Sequence, residues 1–162
     1  MKIPSLILAF SLFVPLSLSC GGREKTQGRL LSYEYTYHGP MFRSGNYYKI
    51  EAGEDGSVRV FISEGGWGSE TRVYSAPAEA LATVEKMVAD GRLRRLKAHY
   101  KTPFRVLDGW DWNLYIRHEK GSISSGGYMA HPPKALYEAM EAIGAYIRAL
   151  AVEENFLEIK TE

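Results

Sequence analysis

The sequence contains almost no cysteine: Cys20 is the only one among 162 residues. An intramolecular disulfide is therefore excluded, as is a zinc site built from clustered cysteines. The four histidines are scattered along the chain, and no two of them are four residues apart. Because metal sites depend on clustered ligands, we expect neither a metal nor another cofactor.

Net charge is also almost absent. The chain has 20 Lys and Arg residues against 19 Asp and Glu residues. Loss of the N-terminal 19 residues would remove Lys2 and leave 19 basic residues against 19 acidic ones. A neutral body does not favour nucleic acid as a partner. The remaining length of about 140 residues suits one domain with a single core.

A long apolar run is missing as well. Residues 3–18 are mostly apolar, but they are fewer than the roughly 20 residues that span a membrane, and two prolines interrupt them. Lys2 precedes this run, and small residues end it at Cys20. Together these features are typical of a secretory signal peptide, which we predict over residues 1–19.

Residues 16–20, LSLSC, resemble the lipobox of bacterial lipoproteins, although Ser17 stands where that family prefers leucine. The resemblance implies cleavage before Cys20 and attachment of diacylglycerol to its sulfur, which would hold the mature chain at a lipid bilayer. Gly21 in place of aspartate implies the outer membrane of the cell envelope, by similarity to sorted lipoproteins. The alternative is an ordinary secreted protein in which the cysteine is incidental. Residues 20–28 are thus predicted to be a lipidated cysteine with a flexible tether.

From residue 29 the pattern is that of a folded domain. Alternating apolar and polar residues predict β-strands, and Asp55-Gly56 is a hairpin signal between two of them. Helical periods begin at Pro77 and again near Pro133. We predict one α+β domain over residues 29–152, with a C-terminal tail over 153–162. Its antiparallel sheet would have about six strands, with two amphipathic helices packed on one face. The predicted strands are 30–38, 47–52, 57–63, 70–76, 110–118 and 122–125.

The densest chemistry lies between residues 108 and 128. Strand periodicity puts Trp110 and Trp112 on one face with a leucine and an isoleucine, which favours a buried face. The alternative is an exposed aromatic platform that grips a peptide or stacks on a sugar. Glycines next to Trp67 and Trp110 would leave their rings uncovered. The candidate binding surface comprises Trp67, Trp110, Trp112 and Tyr128.

An enzyme that acts on envelope polymers is a second hypothesis. Asp108 and Asp111 could form an acid/base pair of the glycosidase kind, with His118 nearby. However, Asp108 precedes a glycine and is typical of a turn, whereas Asp111 is typical of a polar strand position. The serines in residues 122–125 lack the Gly-x-Ser-x-Gly pattern that exposes a nucleophile.

A third hypothesis comes from Ser125-Gly126-Gly127-Tyr128, which resembles the Ser-Gly-x-x-Tyr loop of periplasmic lysozyme inhibitors. That resemblance implies inhibition of a host or rival hydrolase, although the inhibitor family is an all-β barrel. More broadly, the chain resembles small bacterial lipoproteins with a signal, a tether and one compact α+β domain. The main expectation is a non-enzymatic binding module anchored by acylated Cys20, with a protein or glycan partner.

Overall fold

The computed structural model describes residues 27–42, 44–66, 68–104 and 108–160. The predicted signal peptide, Cys20, most of the predicted tether and Trp67 lie outside these residues. Within them, one sheet and two α-helices form a mixed α+β fold, which confirms the predicted class in its coarse form. The elements in chain order are β1 (Gln27–His38), β2 (Gly45–Ala52), β3 (Val58–Glu64), β4 (Thr71–Ala76), α1 (Ala80–Asp90), β5 (His99–Lys101), β6 (Asp111–Lys120), β7 (Ser122–Tyr128), α2 (Lys134–Ala149) and β8 (Phe156–Lys160).

The sheet has eight strands in the order β5-β7-β6-β1-β2-β3-β4-β8. Neighbouring strands are antiparallel except for β5 and β7, which run parallel. The prediction of about six antiparallel strands was therefore wrong at both edges of the sheet. At one edge, β5 is only three residues long, which is too short for a strand period to be recognised. At the other, β8 lies in the segment 153–162, which was predicted to be a tail.

The predicted hairpin at Asp55-Gly56 is present between β2 and β3. Gly56 adopts a φ of 80°, which glycine reaches without steric cost. The carboxylate of Asp55 accepts hydrogen bonds from the backbone N–H of Ser57 at 3.0 Å and from its hydroxyl at 2.6 Å. These contacts fix the turn and hold the pKa of Asp55 below its usual value. The register of β2 on β3 follows from this turn.

Both helices pack on one face of the sheet. α1 contacts β1 and β2, and α2 contacts β2 and α1. Aromatic and branched side chains on this face of the sheet pack against the apolar stripes of both helices and form the core. The helical members of the core are Leu81, Val84, Val88, Met140, Ile143 and Ile147, and the central strand members are Tyr33, Ile50, Val60, Leu114 and Ile116.

Gly144 sets how closely α2 approaches the sheet. A Cβ atom at this position would lie 2.5 Å from the hydroxyl oxygen of Tyr48 and 2.7 Å from its Cζ. Only a residue without a side chain allows the helix to rest on this ring. Gly144 therefore marks a close contact between the backbone of α2 and the sheet.

No helix of the described residues packs on the opposite, more polar face of the sheet. One large apolar side chain on that face, Phe61, is only 7% exposed. The ammonium groups of Lys49 and Lys160 lie 5.3 and 5.2 Å from its ring centroid. Both ammonium groups are therefore within cation–π distance of this ring.

None of the helices in the described ranges is long and apolar enough to cross a membrane.

Candidate aromatic binding site

Trp112 belongs to the core. Its side chain is 1% exposed, and its indole N–H donates a hydrogen bond of 2.9 Å to the carbonyl of Ala130. A Cβ atom at Gly127 would collide with this indole and with the same carbonyl. Glycine at that position therefore lets Trp112 reach under the chain that follows β7. The prediction that Trp112 belongs to the binding surface is therefore corrected: Trp112 is a core residue.

The chain after β7 folds back over the start of β6. Met129 adopts a φ of 50° and its N–H donates to the carbonyl of Trp110 at 3.0 Å. The hydrogen bond from Trp112 holds Ala130 in place. As a result, the ring of His131 stacks on that of Trp110, with centroids 4.4 Å apart and planes 25° from parallel.

Four rings form a continuous row at this end of the helix-covered face. Trp110 lies 6.3 Å from Tyr37 on one side, and His131 lies 4.5 Å from Tyr137 of α2 on the other, measured between centroids. Beside the row is a cavity of about 420 Å³, which we call the aromatic cleft. Its six rings belong to Tyr35, Tyr37, Tyr48, Trp110, His131 and Tyr137. Its polar side chains are Asn46, Glu64, Glu141 and Arg148.

The floor of the cleft is a stack of tyrosines that continues into the core. Tyr35 lies 5.0 Å from Tyr48 and 6.4 Å from Trp112, in near-parallel orientation. Tyr48 in turn stacks on Tyr33 at 6.4 Å. Burial raises the pKa of all three tyrosines well above the usual value near 10, so they stay neutral. The stack gives the cleft a rigid base.

Two of these tyrosines have buried hydroxyl groups that interact with each other. The hydroxyls of Tyr33 and Tyr48 influence each other's pKa through a mutual side-chain contact. No other described residue is in hydrogen-bonding geometry with either hydroxyl. The floor therefore contains polar groups at positions where aliphatic side chains would also pack.

Three charged side chains border the cleft, and none of them forms an ion pair among the described residues. The guanidinium carbon of Arg148 lies 5.2 Å from the ring centroid of Tyr48. Glu64 and Glu141 form no ion pair or hydrogen bond within the part of the chain that the structure describes. Burial and then the charge of Glu141 raise the pKa of Tyr137. The cleft thus combines ring faces with two unpaired carboxylates.

Trp110 is the member of the predicted surface that the structure places in the cleft. It is half-buried and lines the cavity, as the platform hypothesis requires. Tyr128 pairs with Asp111, whose side chain alternates with Trp110 and Trp112 to the opposite face. Trp67 lies outside the described residues. The structure therefore places only one of the four predicted residues in this site.

The predicted catalytic residues are not brought together. Asp111 accepts a hydrogen bond from His38 Nδ1 at 3.0 Å, and Asp108 accepts one from the backbone of Met41 at 2.9 Å. His118 is 5% exposed and lies on the helix-covered face. It is seven residues from Asp111 along β6, or about 24 Å at strand spacing. The hypothesis that Asp108, Asp111 and His118 share one active site is wrong.

The segment from Ser125 to Tyr128 is a strand and not a loop. Ser125 is 3% exposed, and its hydroxyl donates to the carbonyl of Lys97 at 2.7 Å. Gly126 and Gly127 are also buried, since a Cβ at either would meet β6. An inhibitory loop at this position is incompatible with that packing.

A second cavity, of about 550 Å³, lies on the opposite face near the end of β1. Its lining is mainly hydroxyl groups and glycine backbone, with His38 and Glu34 as titratable members. It borders the segment that contains Trp67. The aromatic cleft is the better candidate, because six rings and three charged side chains line it, whereas glycine backbone and small hydroxyl side chains make up most of the second lining.

Sequence reasoning missed most of the cleft. Tyr37 lies in the predicted strand 30–38, but strand periodicity alone does not mark it as a ligand contact. On α2, residues 137, 141, 144 and 148 recur with spacings of four, three and four, which puts them on one helical stripe. This stripe was the available signal, since it joins a tyrosine, a carboxylate, a glycine and an arginine beside the apolar stripe.

Comparison with protein-family models finds no match, and comparison with curated proteins finds none either. Among the residues that the structure describes, no group of three or more His, Cys, Asp or Glu side chains is placed to hold a metal ion.

Proposed function

We propose that this chain is a lipoprotein of the bacterial cell envelope that acts as a non-enzymatic binding module. Acylated Cys20 holds it at a bilayer, in our proposal the outer membrane, and the aromatic cleft binds a protein or glycan partner. The observation that carries the binding role is the cleft itself, with six rings around a cavity of about 420 Å³.

The physical properties of the cleft support a binding role. Ligand sites are concave and mostly aromatic or apolar, with a few polar groups that fix orientation. Tryptophan and tyrosine carry much of the binding energy where they are desolvated on contact. The rings here are already ordered by stacking, so a ligand would not have to immobilise them.

The position of the cleft is compatible with an anchor at the N-terminus. β1 begins at Gln27, within the last two residues of the predicted tether, and the cleft lies around Tyr37 near the other end of the same strand. Ten residues of strand correspond to about 34 Å. A partner in the cleft would therefore be held well away from the bilayer.

Mass spectrometry of the protein isolated from its native membrane tests the anchor. We expect a mature chain that begins at Cys20 and carries a diacylglycerol on the sulfur. A Cys20→Ala variant should be released from the membrane fraction. Native protein with an unmodified thiol and residues 1–19 still attached would overturn the anchoring part of the proposal.

A panel of immobilised peptides and oligosaccharides tests the cleft. The variants Trp110→Ala and Tyr137→Ala should lose binding to whichever panel members the unmodified protein retains, with little change in thermal unfolding. The matched control is Tyr115→Ala, since Tyr115 is 42% exposed on the opposite face of β6. Equal binding by all three variants, or no binding to any panel member, would remove the proposed role.

A further inference from the structure

We infer that the aromatic cleft takes a cationic side chain, arginine or lysine, presented by a peptide segment of a protein partner. This inference rests on the proposed function, because it names the chemical group that the same cleft would bind.

The rings favour a cation over a neutral group of similar size. The face of an aromatic ring carries partial negative charge and attracts an ammonium or guanidinium group within about 6 Å of its centroid. The cleft already holds one such contact, between the guanidinium of Arg148 and the ring of Tyr48 at 5.2 Å. Four of the other rings around the cavity are also of a kind that attracts a cation, three phenols and the indole of Trp110.

The balance of charge around the cavity points the same way. Glu64 and Glu141 contribute two carboxylates, and Arg148 contributes one guanidinium. Neither carboxylate has an ion-pair partner in the described ranges. An incoming cation would gain a carboxylate, whereas an incoming anion would meet two like charges. The charge of Glu141 also raises the pKa of Tyr35 and Tyr137, in each case after burial, so the negative field reaches both hydroxyls.

A peptide side chain fits better than a neutral sugar or a phospholipid head group. A neutral sugar could donate hydroxyl hydrogen bonds to Glu141, but unlike a cation it carries no charge to complement the two carboxylates. The phosphate next to a choline group would lie near the same carboxylates. Asn46 at the rim supplies an amide that both donates and accepts, as a peptide backbone requires.

Isothermal titration of the whole lipid-free domain with short peptides tests the inference. The probes are acetyl-Gly-Arg-Gly-amide and acetyl-Gly-Lys-Gly-amide, each compared with its uncharged analogue containing citrulline or acetyl-lysine. We expect the cationic peptides to bind, and the analogues to bind about tenfold more weakly or not at all.

Two substitutions on α2 locate the binding. Glu141→Gln keeps the shape of the side chain and removes its charge, and should weaken binding of the cationic peptides about tenfold. Glu138→Gln is the matched control, since Glu138 is exposed and pairs only with Lys134 at 3.6 Å. Thermal unfolding of both variants should match the unmodified protein. If Glu141→Gln fails to fold, Trp110→Leu with the same two peptide pairs replaces it.

The contrary outcomes separate this inference from the proposed function. Equal binding of arginine and citrulline peptides, or equal effects of the two glutamate substitutions, would contradict the inference that the cleft binds a cation. Tighter binding of free choline or of phosphatidylcholine vesicles than of the peptides would contradict the inference that a peptide presents the cation. Cleft-dependent binding of a neutral oligosaccharide alone would overturn the inference while the binding module stands. No cleft-dependent binding of any probe would overturn both.

Discussion

The helix-covered face of the sheet has a covered end, which contains Trp112 and His118, and a cleft end, which contains Trp110. The two ends differ in solvent exposure although the same strands form both. Trp110 and Trp112 point to the same side and are separated by one residue. Yet Trp112 is 1% exposed and bonded to Ala130, whereas Trp110 borders the cleft. Strand periodicity fixes the face on which a side chain lies. Coverage by α1, α2 and the chain after β7 then decides whether that side chain is core or binding surface.

The two ends also differ in the exposure of their charged and titratable side chains. At the covered end, His118 is buried and its Nδ1 has no hydrogen-bond partner among the described residues. At the cleft end, Glu141 and Arg148 border an open cavity. Polar groups at the covered end therefore affect stability, and those at the cleft end are available to a ligand.

The largest predicted difference is between the two tryptophans. Trp112→Ala should lower the free energy of unfolding by about 3–5 kcal/mol, because it leaves a cavity and an unpaired carbonyl at Ala130. Trp110→Ala should cost less than about 2 kcal/mol, since it removes the ring contacts with Tyr37 and His131 from a partly open site. Urea denaturation of both variants measures this. Equal losses would erase the distinction between the ends.

A second substitution tests the border between the two ends. Gly144→Ala improves helix propensity by about 1 kcal/mol, but its new methyl group collides with the buried ring of Tyr48. We expect a net loss of about 1–3 kcal/mol, as for other overpacked sites. Ala145→Ser, at the exposed neighbouring position, is the control and should change stability by less than about 0.5 kcal/mol. A more stable Gly144→Ala protein would show that α2 does not rest on this tyrosine.

The buried histidine predicts a dependence of stability on pH. Burial, helped by the charge of Arg94, lowers the pKa of His118 below its usual value, although Glu85 opposes this. The unfolded chain therefore takes up the proton more readily than the native one. The contribution to stability is complete above about pH 6.5 and declines as the pH falls toward the lower native value.

Denaturation midpoints at pH 7.5 and 5.5 measure this contribution. The unmodified protein should lose more stability over this interval than His118→Gln does. His99→Gln is the control, since His99 is exposed, and it should behave like the unmodified protein. An unchanged pH dependence in His118→Gln would contradict the assignment.

The smallest predicted effect is electrostatic and lies within the cleft. Burial and then Glu141 raise the pKa of Tyr137. Glu141→Gln should therefore lower that pKa, whereas Glu138→Gln should affect it less, because Glu138 is not among the groups that raise the pKa of Tyr137. Titration of tyrosine labelled on the ring, followed by NMR, gives the shift. A pKa that does not move would place Glu141 outside the field of the cleft.

Sequence periodicity predicted the strands that alternate and the helices that bury a stripe. The alternation of Tyr33, Tyr35 and Tyr37 predicted β1, and the Asp55-Gly56 turn predicted the β2–β3 hairpin. The edges were missed for a physical reason. β5 gains its place from parallel pairing with β7, and β8 from pairing with β4, so neither depends on its own pattern.

The cleft could be predicted only in part. The sequence suggested Trp110 as an exposed aromatic residue, but the same argument also selected Trp112 and Tyr128. Separating these required the fold, because His131 reaches Trp110 only through the turn at Met129. Contacts between a loop and a strand start have no sequence period. The stripe of residues 137, 141, 144 and 148 on α2 does have one, but it was not used to predict the site.

The two tryptophan indoles offer the most direct test of the binding site. Their N–H resonances can be followed by NMR while a panel member that binds, such as acetyl-Gly-Arg-Gly-amide, is added. Occupation of the cleft should shift the Trp110 resonance in a saturable way and leave that of Trp112, bonded to Ala130, much less affected. A bound ligand that leaves the Trp110 resonance unmoved would contradict the assignment of the site.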